Sequence, residues 1–146
     1  MSFLNSMDIS SSALTAQRYR MDVISENLAN ADVTRTADGT PYTRKIVVMG
    51  EKQATPSFSD QLNQSMQGAS GGGVVVDKVV DSTEPFKKVY DPSHPDADAS
   101  GYVSYPNVDT VTEMVDLISA SRSYEANVTA FNATKNMAMK ALDIGK

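Results

Sequence analysis

The stretch TVTEMVDLISASRSYEANVTAFNATKNMAMKALD, residues 110–143, contains neither Gly nor Pro. Met114, Leu117, Tyr124, Val128, Phe131, Ala138 and Leu142 follow the a/d rhythm of a heptad repeat, and Val111 and Ile118 widen the stripe. Ser121 and Lys135 are polar gaps in it. Pro106 breaks whatever precedes it, Thr110 with Glu113 three residues on fits a capping box, and Gly145 ends the run. The spacing predicts one helix of about 50 Å at ~1.5 Å per residue. That exceeds the width of a compact globule of 146 residues.

The other end of the chain carries a matching pattern. Met7, Leu14, Met21 and Leu28 are spaced by sevens, and Phe3, Ile24 and Ala31 fall on the companion position, which Ser10 and Gln17 weaken. No Pro or Gly interrupts residues 1–38. A helix is predicted over residues 3–31, closing at Ala29-Asn30-Ala31-Asp32, because Asn tolerates the left-handed conformation that ends helices.

The middle is different in kind. Asp38-Gly39 is a hairpin-turn signal between Val33–Thr36 and Tyr42–Met49. Residues 51–73 are polar and end in Gly71-Gly72-Gly73, as a flexible insertion does. Val74-Val75-Val76 with Val79-Val80 predicts a strand that Pro85 ends, and Phe86–Tyr90 is a candidate partner for it. Asp91–Ser100 is a turn-rich loop with Pro92 and Pro95, and Tyr102–Tyr105 is a short strand leading into the last helix. The fold class expected is α+β. Residues 1–33 and 106–146 form a helical, coiled-coil region, and 34–105 a small β-rich middle.

Composition removes several functions. A net charge of -5 speaks against nucleic acid, which needs a basic face to displace counterions. Without cysteine there is no disulfide, thiolate metal site or cysteine nucleophile. No run approaches the ~18 apolar residues of a membrane span, and Met1–Asp8 has no Lys or Arg to open a signal peptide. His94, the single histidine, lies near Asp91, Asp96 and Asp98. A metal-dependent enzyme using His94 with those carboxylates is the alternative from a different class. A solvated acidic loop shaped by two prolines outweighs it, because no second ligand cluster exists elsewhere. No cofactor, metal or catalytic residue is assigned. Asn127-Val128-Thr129 and Asn132-Ala133-Thr134 match the glycosylation sequon, but both lie mid-helix and read as chance.

Periodicity alone leaves two readings of the terminal stripes. They pair with each other inside one chain, the simpler reading, or they are an assembly surface. The polar gaps, the adaptable Ala and Met residues and the chain-terminal positions favour the second.

Specific residues add to this. Ser25-Glu26-Asn27-Leu28-Ala29-Asn30-Ala31 resembles the Asn-Leu-Ala-Asn motif near the N-terminus of bacterial flagellar axial proteins. Asp38-Gly39-Thr40-Pro41-Tyr42-Thr43-Arg44-Lys45, Asp96–Val103, Pro106–Asp109, Glu113–Asp116 and Ser119–Asn127 are similar to stretches of rod proteins in that family. The resemblance covers both ends and much of the middle, excluding 51–73. It implies a structural subunit of the proximal rod of the flagellar basal body, in the cell envelope outside the cytoplasmic membrane, and not an enzyme. Terminal helices would form an inner D0-type layer and the middle a small outer layer. Partners would be copies of itself, other rod and basal-body proteins, and the type III export apparatus that passes the chain without a cleaved signal. The expected assembly interface comprises Phe3, Met7, Leu14, Met21, Ile24, Asn27, Leu28 and Asn30, with Met114, Leu117, Arg122, Tyr124, Glu125, Val128, Phe131 and Leu142. Another rod protein of the same family is the nearer alternative.

Overall fold

Twenty-seven residues without a Gly or Pro form the first helix, α1 (Phe3–Ala29), and thirty-five form the last, α2 (Thr110–Ile144). Both match the spans expected from the heptads. The computed structural model describes residues 3–52 and 72–144. Most of the expected insertion, residues 53–71, lies outside the described residues, as does the side chain of Phe3. Between the helices are four strands: β1 (Lys45–Glu51), β2 (Val74–Asp81), β3 (Lys87–Tyr90) and β4 (Tyr102–Tyr105). β1 pairs with β2 and β3 with β4, giving two separate two-stranded sheets among the described residues.

The polar residues of α1 do not interrupt it because they bond to their own helix. Ser10, Thr15 and Ser25 each donate to a carbonyl four residues back, and Ser12 to one three back. The close of α1 differs from the expectation. No residue other than glycine has a positive φ among the described residues, so Asn30 is not left-handed. Asn30 instead donates both its backbone N–H and its amide to the Glu26 carbonyl, and Ala31 tightens the last turn onto Leu28.

The start of α2 also differs. Asp109, not a Thr110–Glu113 box, is the cap. Its carboxylate accepts from the Val111 N–H at 3.0 Å and the Thr112 hydroxyl at 3.0 Å, while its carbonyl accepts the Glu113 N–H. Those hydroxyl and N–H donors hold its carboxyl below the usual range. Glu113 is thereby released for another task.

Two strand pairings are corrected. Val33–Thr36 forms no strand. The turn at Asp38-Gly39 is present, with Gly39 at φ +79°, but it closes a loop in which Thr36 and Thr40 bond each other. β3 takes β4 as its antiparallel partner, not β2, with Val89 opposite Val103 and Tyr90 opposite Tyr102. The Tyr90 and Tyr102 rings meet edge to face, 5.2 Å between centroids. Gly101, at φ +80°, sits so close to the Tyr90 ring that a Cβ would fall 2.9 Å from it, so glycine is required there. On the far side of β4, Asp98 receives the Tyr102 N–H on its carboxylate and donates its own N–H to the Tyr102 carbonyl.

The chain divides into two compact units. One holds residues 1–19, 49–77 and 121–146, and the other 20–48 and 78–120. In the second, Val23, Ile24, Tyr42, Val103 and Ala120 are buried, together with Asn27 and Glu113. Fully burying Val103 contributes about 2 kcal/mol. In the first, Ala16 is buried and the Ser12 hydroxyl accepts the Val74 N–H at 3.0 Å.

Candidate functional site

The densest side-chain chemistry in the molecule is a buried polar cluster in the unit of residues 20–48 and 78–120. Asn27 is 1% exposed and uses its whole amide. Its nitrogen donates to the Lys45 carbonyl at 2.8 Å and to the Glu113 carboxylate at 3.1 Å. Its oxygen accepts the Tyr42 hydroxyl at 2.9 Å and the Lys45 N–H at 2.9 Å. Glu113, also 1% exposed, takes the Arg44 Nε–H at 2.6 Å. Arg44 lies 3.6 Å from Asp116, which in turn pairs with Arg20 at 3.3 Å. The backbone of Arg44 is held as well. Its N–H donates to Asn107, whose amide donates to the Glu84 carbonyl, and its carbonyl accepts the Ser82 N–H. One dipeptide, Arg44-Lys45, thus ties α1, α2, the end of β2 and the approach to α2 together.

A buried charge is tolerated only when paired and hydrogen-bonded, and Glu113 meets both conditions. Such a network adds little net stability over an apolar core, but it accepts a single register. Tyr42 shares the environment. Burial raises its pKa above 10.0, and the charge of Glu26 adds to the shift while Lys45 offsets it. At the rim Lys45 pairs with Glu26 at 2.5 Å, a hydrogen bond that raises the lysine's pKa.

The loop around His94 is organised by its own backbone. Asp91 accepts from the Ser93 hydroxyl and N–H, which lower its pKa. His94 Nδ1 accepts the Asp96 N–H at 3.1 Å, Asp96 accepts the Thr34 hydroxyl and faces Arg35, and Asp98 is lowered by the N–H groups of Tyr102 and Ser100. These carboxylates shape turns and do not converge. Among the described residues no group of three or more His, Asp or Glu could hold a metal ion.

Of the residues expected at an assembly surface, all but Phe3 have described side chains, and these are scattered in exposure. Ile24 and Asn27 are buried, and Asn27 is committed to bonds within its own chain. Met7, Leu14, Met21, Leu28, Asn30, Leu117, Tyr124, Val128 and Phe131 are half-buried. Met114, Arg122, Glu125 and Leu142 are exposed. The first three turns of α2 present an apolar row in which Val111, Met114, Val115 and Ile118 are 68, 50, 62 and 55% exposed. Their i, i+3, i+4, i+7 spacing makes one face. Reasoning from the sequence missed the roles of Arg20, Tyr42, Arg44 and Asp116. Their partners lie as far as 96 residues away, so no local pattern marks them.

Terminal helices with an exposed apolar face are features of an assembly subunit. Residues 7–35 match the family described as flagella basal body rod protein, and residues 99–144 match the C-terminal region of flagellar basal body rod FlgEFG proteins. Over its whole length the chain is 55% identical to the flagellar basal-body rod protein FlgC of Bacillus subtilis and 49% identical to that of Escherichia coli, covering all of each. It is 43% identical to FlgC of Borreliella burgdorferi, with 99% of this chain and 98% of that one aligned. The chain belongs to the FlgC family of flagellar basal-body rod proteins.

Proposed function

We propose that the chain is a subunit of the proximal rod, the part of the flagellar drive shaft that joins the membrane-embedded ring to the hook and filament. It leaves the cytoplasm through the flagellar type III apparatus and polymerises with copies of itself and with other rod proteins. Residues 1–33 and 106–146 make the inner-layer contacts, and 34–105 form the outer layer. The observation that carries this reading is the exposed apolar row on α2, from Val111 to Ile118. A surface of this kind is stabilised by a protein neighbour. Contacts that run head to tail without closing build a helical array. No helix among the described residues is long and apolar enough to cross a membrane.

A strain lacking the chain tests this. The expected result is loss of hook and filament with the membrane ring still present, and intact flagella would end the reading. Half-buried Leu28 offers a finer test. Leu28→Asp is expected to abolish motility while the amides around β3 and β4 keep their slow exchange. Normal swimming in that variant removes Leu28 from the assembly surface.

A further inference from the structure

One groove in the unit of residues 20–48 and 78–120 is not accounted for by the polar cluster. It has a volume of about 540 Å³ and opens between the end of α1, β3 and the approach to α2. Pro85, Val89 and Val108 supply apolar lining. Asp32, Glu84 and Asp109 supply three carboxylates, against Lys87 as the one cation. Asp109 is spent on capping α2, and Lys87 lies close enough to help lower its pKa. Asp32 and Glu84 are different. Both are exposed, and their carboxylates have no hydrogen-bond or ion-pair partner among the described residues. The groove thus sets an apolar strip beside polar lining and carries unpaired negative charge.

The complementary chemistry occurs on the same chain, in the other unit. Lys135, Met139 and Leu142 stand at i, i+4 and i+7 on α2 and share one face about 10 Å long at ~1.5 Å per residue. Met139 is 55% exposed and Leu142 73% exposed, and Lys135 is exposed with no partner among the described residues. Lys135 is one of the two polar gaps in the heptad stripe of this helix.

We propose that the groove receives the Lys135–Met139–Leu142 face of a second copy of this chain. Met139 and Leu142 enter beside Val89 and Pro85, and Lys135 meets Glu84 and Asp32. The two patches differ from each other, so the contact is head-to-tail and leaves one of each kind free at the ends of a row, as an open array requires. Opposite charge at its edge selects the partner and fixes the register more than it adds affinity. This pairing rests on the rod-subunit reading and specifies one of its contacts.

The test uses the full chain in flagellated cells, with a photo-crosslinking amino acid in place of Val89. Irradiating purified basal bodies is expected to give a covalent dimer whose linked peptides join position 89 to residues 135–144 of the other copy. If basal bodies contain the chain but position 89 links to another protein, to another segment or to nothing, the pairing is overturned and rod membership stands. If unmodified chain is absent from basal bodies, the rod reading itself fails. A charge exchange gives an independent result. Lys135→Glu is expected to lower the yield of complete basal bodies about tenfold, and adding Glu84→Lys is expected to restore it. The Glu84 backbone carbonyl, which accepts from Asn107, is untouched by that change. Wild-type yield in Lys135→Glu, or no recovery in the double variant, overturns the pairing.

Discussion

Asn27 and Asn127 are both asparagines in the long terminal helices, and they do opposite things. Asn27 bonds to Lys45, Tyr42 and Glu113, the last of them 86 positions away. Asn127 turns its amide back onto the Ser123 carbonyl of its own helix. The contrast extends to their surroundings. Around Asn27 the helices are joined by long-range polar bonds and ion pairs. Beyond residue 120, Thr129 and Thr134 likewise bond only to carbonyls four residues back, while Met137, Met139 and Leu142 are exposed. In the same unit as Asn127, the Gln17 side-chain oxygen is buried without a donor among the described residues. Near Asn27 the chain specifies its own packing. Around Asn127 the side chains of Asn127, Thr129 and Thr134 bond within one helical turn, and the apolar side chains beyond them stay exposed.

Substitutions can break that contrast. Asn27→Ala strips the partner from several buried groups, each costing ~1–3 kcal/mol when unsatisfied. The expected loss, read from urea denaturation, is about 3 kcal/mol, a large share of a typical marginal stability of ~5–15 kcal/mol. A loss below about 1 kcal/mol would mean that the polar cluster does not specify the packing. Tyr42→Phe is milder. It removes one hydrogen bond to Asn27, about 1 kcal/mol at neutral pH. It also changes the alkaline limb. Because burial raises the folded-state pKa of Tyr42 above 10.0, its contribution is fully present below 10.0 and fades as pH climbs through the raised value. Thermal denaturation above pH 10 should therefore fall more steeply for the parent than for Tyr42→Phe, and parallel curves would contradict the assignment.

The next effect is smaller again. Glu26→Gln breaks an ion pair whose side chains are 44 and 36% exposed, so screening leaves about 0.5 kcal/mol, removable by salt. A difference that persists in 1 M salt would show the pair to be part of the buried cluster. Asn127→Ala should change the unfolding free energy least, within about 0.5 kcal/mol in urea denaturation. A cost near that of Asn27→Ala would erase the distinction between the two ends of the helices.

The helices were legible in the sequence because their signal is local. Heptads from Met114 to Leu142 and from Met7 to Leu28, with polar gaps but no Gly or Pro, marked their spans to within a residue or two. The strands Val74–Asp81 and Tyr102–Tyr105 were legible for the same reason. Their partners were not. β3 has four exposed residues and no apolar alternation to choose a neighbour, and it pairs with β4 through a loop held by Asp91, Asp98 and Gly101. Glu113 illustrates the harder failure. Its position three residues after Thr110 is that of a capping glutamate, and only Asn27 and Arg44, 86 and 69 positions away, reveal that it faces inward. The Asn-Leu-Ala-Asn motif pointed to the family, but the bonds of Asn27 had to be seen in space.

The Asp98–Tyr102 bonds on the outer edge of β4 have one more consequence. A two-stranded sheet has two borders, and each is an invitation to aggregation if its backbone groups are left bare. Here Asp98 occupies one border at Tyr102, and the other belongs to β3, where Lys87 and Lys88 bring charge to the margin. The β3–β4 sheet thereby resists unplanned pairing at its edges. Amyloid-like stacking of one copy on another through these strands is disfavoured as a result.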